Sequence, residues 1–558
     1  MTTTSARPAG STLRALLRRF AGRALGRMLG LPAPTSGYTI SSVKIPMRDG
    51  VELAADHYEP TGDTEPVGTL LVRGPYGRGF PFSLVFADLH AARGYRVILQ
   101  SVRGTFGSGG VFEPMSNEAA DGADTVAWMR RQPWFTGRFA TIGISYLGFT
   151  QWALLQDPPP ELAAAVITAG PHDFSASAWG TGSFTVNDFL GWCHLVAHQE
   201  DPGRIRAGIR QLRAQKSVVR AAAEAPLGAS GRALLGDGAP WWESWLTPPA
   251  DDNPFWGPLN VDSALDQVQV PVLLLSGWQD LFLGQTLQQY RHLRDRGVDV
   301  ALTMGPWTHT QLLLGGLATF ARETHDWLDT HIGGRNANPR SGRVRLFVNG
   351  EGWRELPDWP PATTERVLYL QPGGGLAETA PTAGSSASFR YDPAEPTPTI
   401  GGRLLSPDGG YRDDTALAAR RDVLSFNSDV LTADLPVHGN PVAELAHSSD
   451  NPYVDVFVRI SEVDSKGRSR NVSDAYRRLN GASLGSSPTG DTVRLELDAI
   501  AHRFRAGSRI RVLVAGGSHP RFARNLGTSE ATSTGSQFKP STHEVHFGAS
   551  RIVLPVGS

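Results

Sequence analysis

Apolar runs and helical stretches alternate along the first part of the chain. Short runs such as "GTLLVRG" (residues 68–74) and "YRVILQSV" (residues 95–102) have the length and composition of buried strands. Between such runs lie segments with helical spacing, for example "AADGADTVAWMRRQ" (residues 119–132). This alternation of strand, loop and helix predicts a mainly parallel sheet covered by helices.

The pattern changes twice further along the chain. Residues 172–262 hold Trp-rich, helix-like pieces and no convincing strand, which predicts a helical insertion. The runs "VPVLLLSGW" (residues 270–278) and "VDVALTMGPW" (residues 298–307) then restore the sheet pattern. After a polar, turn-rich linker at residues 334–342, short alternating strands recur at a spacing of roughly 8 to 12 residues, as in an all-β sandwich.

The chain is too long for one hydrophobic core, because single cores stop growing near about 250 to 300 residues. We predict an α/β fold class and divide the 558 residues into four parts. Residues 1–35 form an N-terminal extension, residues 36–171 and 263–334 an α/β core, residues 172–262 a helical cap, and residues 335–558 a β-sandwich.

The charges of the chain nearly balance. Lys and Arg number 53 and Asp and Glu 54, which gives a formal net charge of -1. Such a chain has no overall field that would attract nucleic acid or an anionic membrane, so we expect a small-molecule partner. The single cysteine, Cys193, excludes an internal disulfide and is interpreted as a packing residue.

The segment "LRALLRRFAGRALGRMLGL" near the N terminus has a basic amphipathic pattern, with Arg19, Arg23 and Arg27 on one helical stripe. Two interpretations stay open: a surface-packed extension, or a weak membrane-surface or partner helix. The segment lacks the unbroken apolar core of a secretory signal, and no part of the chain approaches the roughly 18 apolar residues of a membrane span. We therefore expect neither secretion nor a membrane span, and a cytoplasmic location.

A serine interrupts the apolar stretch "RFATIGISYLGFTQW" at residues 138–152. Ser145 ends a predicted strand and begins a predicted helix, with Gly143 and Gly148 beside it. A sharp strand-to-helix turn of this kind presents a serine hydroxyl at the carboxyl edge of a sheet. The usual motif has glycine two residues after the serine, where this chain has Leu147, and a purely structural turn is the alternative interpretation.

Two further residues stand where a serine nucleophile needs its partners. A serine hydroxyl is a poor nucleophile until a base takes its proton, and the base needs an acid that holds its tautomer. Asp280 and His309 each follow a predicted buried strand, in the chain order of the α/β-hydrolase fold. Taken singly, such an Asp is usually a helix cap and such a His is usually solvated. Their combined order favours a catalytic triad.

Two other motifs carry less weight. His194 and His198 have the spacing of paired metal ligands, yet no third ligand is evident. The Gly-rich "RGTFGSGG" at residues 103–110 follows a strand but does not spell GxGxxG and has no P-loop lysine. We therefore expect neither a metal site nor a nucleotide site.

Several segments resemble the family that includes cocaine esterases and X-Pro dipeptidyl-peptidases. The matching segments occur in order and cover nearly the whole chain: "VRGPYGRG", "VRGTFGSGGVF", "AADGADTVAWMRRQPW", "GISYLGFTQW", "SGWQDLF", "GPWTH" and "GGSHPRFARN". The resemblance implies an α/β-hydrolase core with an inserted helical cap and a C-terminal jelly-roll β-sandwich. It also implies a serine hydrolase that needs no cofactor and no metal.

The resemblance assigns the reacting groups residue by residue. Ser145 in "GISYLG" matches the family's nucleophile, Asp280 in "GWQD" its acid and His309 in "GPWTH" its base. The hydroxyl of Tyr76 and the backbone N–H of Tyr146 match the two donors of the oxyanion hole. A simple turn tyrosine is the alternative interpretation of Tyr76.

Three aromatic residues match the family's acyl pocket, namely Trp179, Trp192 and Phe282. Packing within the cap is the alternative for the two tryptophans, because their spacing is shorter than in the family. The members that act on amino-acid esters carry a cap carboxylate at the place of Trp179, so we do not expect an amine-specific site.

The combined prediction is a serine hydrolase that cleaves carboxylic esters with an aryl or bulky acyl group, through an acyl-enzyme. An X-Pro dipeptidyl-peptidase, an amide acylase or an α-amino-acid ester hydrolase is the alternative among enzymes. A ligand-binding protein with an inert core is the alternative outside them. The partner is a small ester or amide, and the oligomeric state is left open, a homodimer included.

Overall fold

The computed structural model describes residues 21–62, 65–250, 253–335, 340–382, 384–480 and 491–557, except for the side chains of residues 204–209 and 211. These residues form two large sheets, with a helical segment inserted between two strands of the first sheet.

Ten strands of the described chain form the first sheet. They are β1 (Gly37–Pro46), β2 (Glu52–Thr61), β3 (Gly68–Gly74), β4 (Tyr95–Ser101), β5 (Phe139–Ile144), β6 (Leu162–Thr168), β7 (Val272–Gln279), β8 (Val300–Thr308), β9 (Val344–Val348) and β10 (Gly352–Leu356). Their spatial order is β1-β2-β4-β3-β5-β6-β7-β8-β9-β10. The pairs from β4 to β9 are parallel, whereas β1, β2 and β10 pair antiparallel. The predicted parallel sheet is confirmed.

Helices accompany this sheet along the chain. They are α1 (Leu89–Ala91), α2 (Glu118–Arg130), α3 (Tyr146–Leu154), α4 (Phe174–Trp179), α5 (Val186–His198), α6 (Arg204–Ala223), α7 (Leu227–Leu235), α8 (Trp242–Trp245), α9 (Ala264–Gln267), α10 (Leu283–Asp295), α11 (His309–Leu312), α12 (Leu317–His331) and, in the C-terminal part, α13 (Thr415–Ala418). A π-helical turn at Leu84–Asp88 and 3₁₀ turns at Gly236–Gly238 and Pro254–Leu259 complete the helical elements that have defined bounds.

The central strands are buried on both faces. Every residue of β3, β4 and β7 is buried, which explains why these strands read as unbroken apolar runs. Because β5, β7 and β8 are parallel, the residues that follow them lie at one edge of the sheet. Ser145, Asp280 and His309 all occupy such positions.

The insertion between β6 and β7 consists of helices α4 to α9 and the turns between them. Its two ends are held together: Asp173 and Asn260 form an antiparallel bridge, and the N–H of Val261 donates to the carbonyl of His172 at 2.7 Å. Because its ends meet, the insertion leaves and re-enters the sheet without separating β6 from β7, which pair directly. The predicted helical cap is present.

Strand β9 joins the first sheet rather than the second. Its alternating sequence at residues 343–350 predicts the opening strand of the β-sandwich, but β9 pairs in parallel with β8, and β10 pairs with β9. Alternation indicates one buried face and does not specify which core buries it. The first sheet therefore extends past residue 334, and the predicted linker at residues 334–342 lies between α12 and β9.

Twelve strands form the second sheet within the described residues. They are β11 (Thr364–Gln371), β12 (Gly375–Ala377), β13 (Ser386–Tyr391), β14 (Val423–Ser428), β15 (Leu435–Gly439), β16 (Val442–Ser449), β17 (Tyr453–Val463), β18 (Ser469–Asn480), β19 (Asp491–Glu496), β20 (Ile500–Phe504), β21 (Arg509–Ala515) and β22 (Ser541–Val556). Strand β22, 16 residues long, pairs with β11, β13, β15 and β16. The predicted β-rich C-terminal part is confirmed.

The N-terminal extension is described only in part. Residues 1–20, with Arg19 of the predicted basic stripe, lie outside the described residues, and residues 21–28 are helical. Leu29, which follows this helix, packs with Leu89 and Ala321 of the α/β core. Among the described residues, the structure contains no helix with the length and apolar character required to cross a membrane.

Candidate active site

Ser145 stands at the sharp turn between β5 and α3. Its backbone torsions, φ 60° and ψ −123°, lie in a region that residues other than glycine rarely adopt. Backbone hydrogen bonds fix the turn: the N–H of Ser145 donates to the carbonyl of Thr168 at 2.9 Å, and the N–H of Gly148 donates to the carbonyl of Ser145 at 2.8 Å. The turn places the Ser145 side chain beyond the end of β5, where it lines a cavity.

Two glycines make this turn possible, and neither stands two residues after the serine. A Cβ at Gly148 would lie 2.6 Å from the Cα of Gly170, so α3 could not approach the end of β6. A Cβ at Gly143 would lie 2.5 Å from the Cβ of Leu147. Leu147 is buried in the core of the sheet. The close approach thus falls at residue 148, which explains the departure from the usual motif.

Asp280 and His309 form the hydrogen-bonded pair that the sequence predicts. Nδ1 of His309 lies 2.7 Å from Oδ2 of Asp280, and Asp280 is fully buried. The other oxygen, Oδ1, accepts the N–H of Phe282 at 2.7 Å. A carboxylate held in this way keeps the proton of the imidazole on Nδ1 and leaves Nε2 available as a base.

The hydroxyl of Tyr76 lies beside Ser145. It accepts the indole N–H of Trp192 at 2.9 Å and shares a side-chain hydrogen bond with Ser145. Burial raises the pKa of Tyr76 to about 12, although the two hydrogen bonds act in the opposite direction. The phenol therefore keeps its proton at neutral pH and can donate it to a negatively charged oxygen.

A buried ion pair anchors Tyr146. The Tyr146 hydroxyl donates to Oε1 of Glu118 at 2.8 Å and accepts the N–H of Met115 at 2.7 Å. Glu118 pairs in turn with Arg73 at 3.0 Å. Burial raises the pKa of Glu118, and the Arg73 guanidinium and the Tyr146 hydroxyl oppose this rise. We call Glu118, Arg73 and Tyr146 the core network, because it holds the residue that directly follows Ser145.

A cavity, here called the first cavity, lies over Ser145. Its apolar walls include Phe174, Phe189, Trp192, Phe282 and Leu405. The ring of Phe282 stands edge-on to that of His309 with 5.5 Å between centroids. Such walls suit an apolar acyl group next to the nucleophile.

Most of the predicted site residues meet at this cavity. The residues that line it are Tyr76, Ser145, Tyr146, Trp192, Phe282 and His309. Asp280 is bound to His309 through Nδ1 of the imidazole. Trp179 does not line it, since the Trp179 indole N–H donates to the carbonyl of Trp245 at 2.9 Å and its ring packs against Phe184. Its position corresponds to the packing alternative.

The sequence analysis did not predict several residues that line the first cavity. Phe174 and Phe189 come from cap helices α4 and α5, and Leu405 comes from the C-terminal part of the chain. Leu281 lies within the quoted segment "SGWQDLF", directly after Asp280, so its position beside the predicted acid was a usable signal. No local pattern marks Leu405, because its position depends on how the two sheets pack together.

The paired histidines of the cap have their own contacts. The rings of His194 and His198 lie 4.9 Å apart, and Nδ1 of His198 lies 3.0 Å from Oδ2 of Asp201. Within the described residues, no three side chains of the metal-binding types cluster so that they could hold an ion. Cys193 is buried and accepts the indole N–H of Trp241 at 3.3 Å.

Comparison with known proteins identifies the family of the chain. Residues 49–311 match the family described as X-Pro dipeptidyl-peptidase (S15 family), and residues 336–552 match the X-Pro dipeptidyl-peptidase C-terminal non-catalytic domain. The cocaine esterase of Rhodococcus sp. (strain MB1 Bresler) is 32% identical over 570 residues, which are 92% of this chain and 98% of that protein. The chain belongs to the X-Pro dipeptidyl-peptidase (S15) family. It is therefore a serine hydrolase.

Other relatives of this S15-family hydrolase cover the chain to a similar extent. A putative serine esterase of Mycobacterium bovis is 26% identical over 93% of this chain and 96% of that protein. The solved aminopeptidase of a marine sediment Thaumarchaeota archaeon has a TM-score of 0.79 at 25% identity, over 93% of this chain and 97% of that one. An α-amino acid ester hydrolase structure has a TM-score of 0.78 at 23% identity, over 94% and 98%. The fold is thus an α/β-hydrolase with a C-terminal β-rich domain.

Proposed function

We propose that this serine hydrolase cleaves carboxylic esters of small molecules through a triad of Ser145, His309 and Asp280. The proposal rests on one arrangement: Ser145, on its strained turn, and His309 line one apolar cavity, while Asp280 binds Nδ1 of the imidazole. The esterase names of two relatives support the same reaction.

The proposed reaction follows from the positions of these groups. Nε2 of His309 takes the proton of the Ser145 hydroxyl as its oxygen attacks the acyl carbon. The bond to the alcohol oxygen then breaks, and the imidazolium returns the proton to that oxygen. A water molecule repeats both steps on the acyl-enzyme, releases the acid and restores the serine. Asp280 stays ionised and stabilises the imidazolium.

The Tyr76 hydroxyl and the backbone N–H of Tyr146 are the proposed donors to the oxyanion. The raised pKa of Tyr76 supports this role, because the phenol must hold its proton in order to donate it. The core network supports it too, since Glu118 holds the Tyr146 side chain in place. Fixed donors in a dry site stabilise a developing charge without having to reorganise.

We propose an aryl or bulky acyl group as the occupant of the first cavity. Trp192 and Phe282 would contact it directly, because both line the cavity beside Ser145 and His309. Trp179 would act only by packing within the cap. The balanced charge of the chain supports a small-molecule substrate and argues against a nucleic-acid partner, and we propose a cytoplasmic location.

Labelling with a fluorophosphonate probe, followed by peptide mapping, tests the triad. We expect one adduct, on the peptide that contains Ser145, and its loss in Ser145→Ala. A wild-type protein that gains no adduct would overturn the proposal in favour of a ligand-binding protein with an inert core.

An X-Pro dipeptidyl-peptidase is the second candidate, because the matching family is described by that activity. Amide cleavage by an acylase belongs to the same comparison. Turnover of an aryl ester and of an X-Pro anilide on one preparation separates the candidates. A large preference for the anilide would replace the ester proposal with the peptidase.

A further inference from the structure

A second cavity adjoins the first. It lies where cap helices α4 and α5, the start of α10 and the C-terminal part of the chain meet, and its walls include Asp188, Gly284, Arg403 and Arg521. Leu281 lines both cavities. The two cavities are therefore neighbours that share a wall.

Leu281, the residue that both cavities share, lies beside the candidate acid and base of the site. Leu281 directly follows Asp280, and the next residue, Phe282, packs against the ring of His309. His309 must return a proton to the alcohol oxygen, so the alcohol half of an ester has to lie near that imidazole. With the acyl half in the first cavity, the second cavity adjoins the space that the alcohol half occupies.

Asp188 brings a buried carboxylate to this second cavity. The residue is 1% exposed. Its Oδ1 accepts the N–H of Leu405 at 2.8 Å and the side-chain amide of Asn187 at 3.1 Å. Within the described part of the chain, no donor meets Oδ2. A buried carboxylate oxygen without a donor is costly, so a ligand that supplies a donor gains from meeting it.

The positive charges that line the same cavity already have partners. Nε of Arg403 lies 2.6 Å from Asp498, and Nη1 of Arg521 lies 2.6 Å from Asp474. Burial raises the pKa of Asp188, while the hydrogen bonds from Leu405 and Asn187 and the charge of Arg521 oppose this rise. Asp188 thus adds an acceptor to the walls of the second cavity.

We propose that the second cavity binds the alcohol half of the substrate, and that Asp188 selects alcohols carrying a hydrogen-bond donor, as a hydroxyl or a protonated amine. The inference rests on the proposed ester hydrolysis. The cap has no carboxylate at the position of Trp179, but it carries a buried one at Asp188. Asp188 is a specificity-determining residue here and takes no part in bond breaking.

Four benzoate esters of matched shape test the proposal. Their alcohols are cyclohexylmethanol, tetrahydropyranylmethanol, hydroxycyclohexylmethanol and piperidinylmethanol, which offer no polar group, an acceptor, a hydroxyl donor and a cation. We expect kcat/KM for the two donor esters to exceed that of the cyclohexylmethyl ester by about 10-fold or more. The relative values for hydroxyl and amine identify the preferred donor. Equal values for all four esters would overturn the proposal.

Asp188→Asn tests Oδ2, the carboxylate oxygen that has no donor among the described residues. The amide oxygen can still accept the N–H of Leu405, while an amide N–H₂ replaces Oδ2. We expect the preference for donor esters, measured as the ratio of their kcat/KM to that of the cyclohexylmethyl ester, to fall by about 10-fold or more. An equal change for all four esters would mean that Asp188 only positions Leu405, which contradicts the proposed role.

A second variant fills the cavity from another direction. A Cβ at Gly284 meets nothing within 4 Å, so a side chain at this position starts in open space beside the cavity. For Gly284→Phe we expect kcat/KM of the four bulky esters to fall by about 10-fold or more relative to that of methyl benzoate. Undiminished turnover of the bulky esters would place the alcohol half elsewhere.

Failure of this inference is distinguishable from failure of the proposed function. If the wild-type protein turns over none of these esters, methyl benzoate included, both the ester-hydrolase proposal and this inference are wrong. Turnover of methyl benzoate without any preference among the four bulky esters removes only the role of Asp188.

Discussion

Two buried networks of arginine and carboxylate flank the candidate nucleophile, and they differ in their charge balance. In the core network Glu118 pairs with one guanidinium, that of Arg73. In the second sheet Asp474 pairs with two, with Arg459 at 2.9 Å and with Arg521 at 2.6 Å. We call these last three residues the C-terminal network.

The pKa shifts of Glu118 and Asp474 follow the number of guanidinium groups with which each carboxyl pairs. Burial raises the pKa of Glu118, because Arg73 only partly opposes it. Burial also acts to raise that of Asp474, but Arg521 and Arg459 outweigh it and lower the pKa of Asp474 to about 2. The pKa of Glu118 is therefore raised above its usual value, whereas that of Asp474 is lowered, so that Asp474 is ionised at neutral pH.

The networks also hold different parts of the site. The core network ends on Tyr146, whose backbone N–H is a proposed oxyanion donor. The C-terminal network borders the loop that carries Leu405: Arg459 donates to the carbonyl of Ile400 at 2.6 Å, and a Cβ at Gly402 would lie 2.9 Å from Asp474. One network therefore supports the chemistry, and the other supports a wall of the first cavity.

The largest expected effect belongs to neither network. Asp280→Asn removes the group that fixes the imidazole of His309, and we expect kcat to fall by about 10⁴-fold. Steady-state turnover of an aryl ester measures this loss. A fall of less than about 10-fold would contradict the role of Asp280 in the triad. It would also contradict our view that the two networks support the reacting groups without belonging to them.

Asp474→Asn should mainly change stability. Arg521 would then lose its ionised partner and Arg459 would keep only Asp414, at 3.7 Å, which costs about 3 to 5 kcal/mol. Because the folded-state pKa of Asp474 lies below its unfolded value, this contribution is present above about pH 4 and is lost as the pH falls toward about 2. Urea unfolding at neutral pH measures the loss. Because the C-terminal network supports only a cavity wall, we expect kcat to stay close to that of the wild type at temperatures where the variant is folded. A large fall in kcat would contradict this difference between the two networks.

Tyr76→Phe removes one proposed oxyanion donor. We expect kcat to fall by about 10²-fold, with the fold intact. Tyr290→Phe is the matched control, since the Tyr290 hydroxyl donates to Asp358 at 2.8 Å and lines neither cavity. Equal kcat values for the two variants would remove Tyr76 from the oxyanion hole.

Glu118→Gln should lower both kcat and stability, whereas Asp474→Asn should lower stability alone. The amide can still accept the Tyr146 hydroxyl, and burial already disfavours the charge of Glu118, so we expect a loss of about 1 to 2 kcal/mol in the free energy of unfolding. We expect kcat to fall by about 10-fold with KM unchanged, because Tyr146 would be held less firmly. If KM rises while kcat stays constant, Glu118 does not position the oxyanion donor.

The order of elements and the candidate triad could be predicted from local patterns. Buried strands appear as apolar runs, and Ser145, Asp280 and His309 each follow such a run. Parallel strands bring their carboxyl ends to one edge of a sheet, so a local pattern was enough to expect the three residues to lie together. The glycine at residue 148 supplied the close approach that the usual motif places one residue earlier.

Contacts between distant segments decided the rest. The alternation of β9 gave no indication of which sheet would bury it, and the spacing of Trp179 and Trp192 did not tell a cavity wall from cap packing. The hydrogen bond from Leu405 to Asp188 joins residues 217 positions apart. Periodicity reports which face of an element is buried and not what buries it. The candidate triad could therefore be predicted from the sequence, whereas the cavity walls and the position of Asp188 depend on how cap, core and C-terminal sheet pack together.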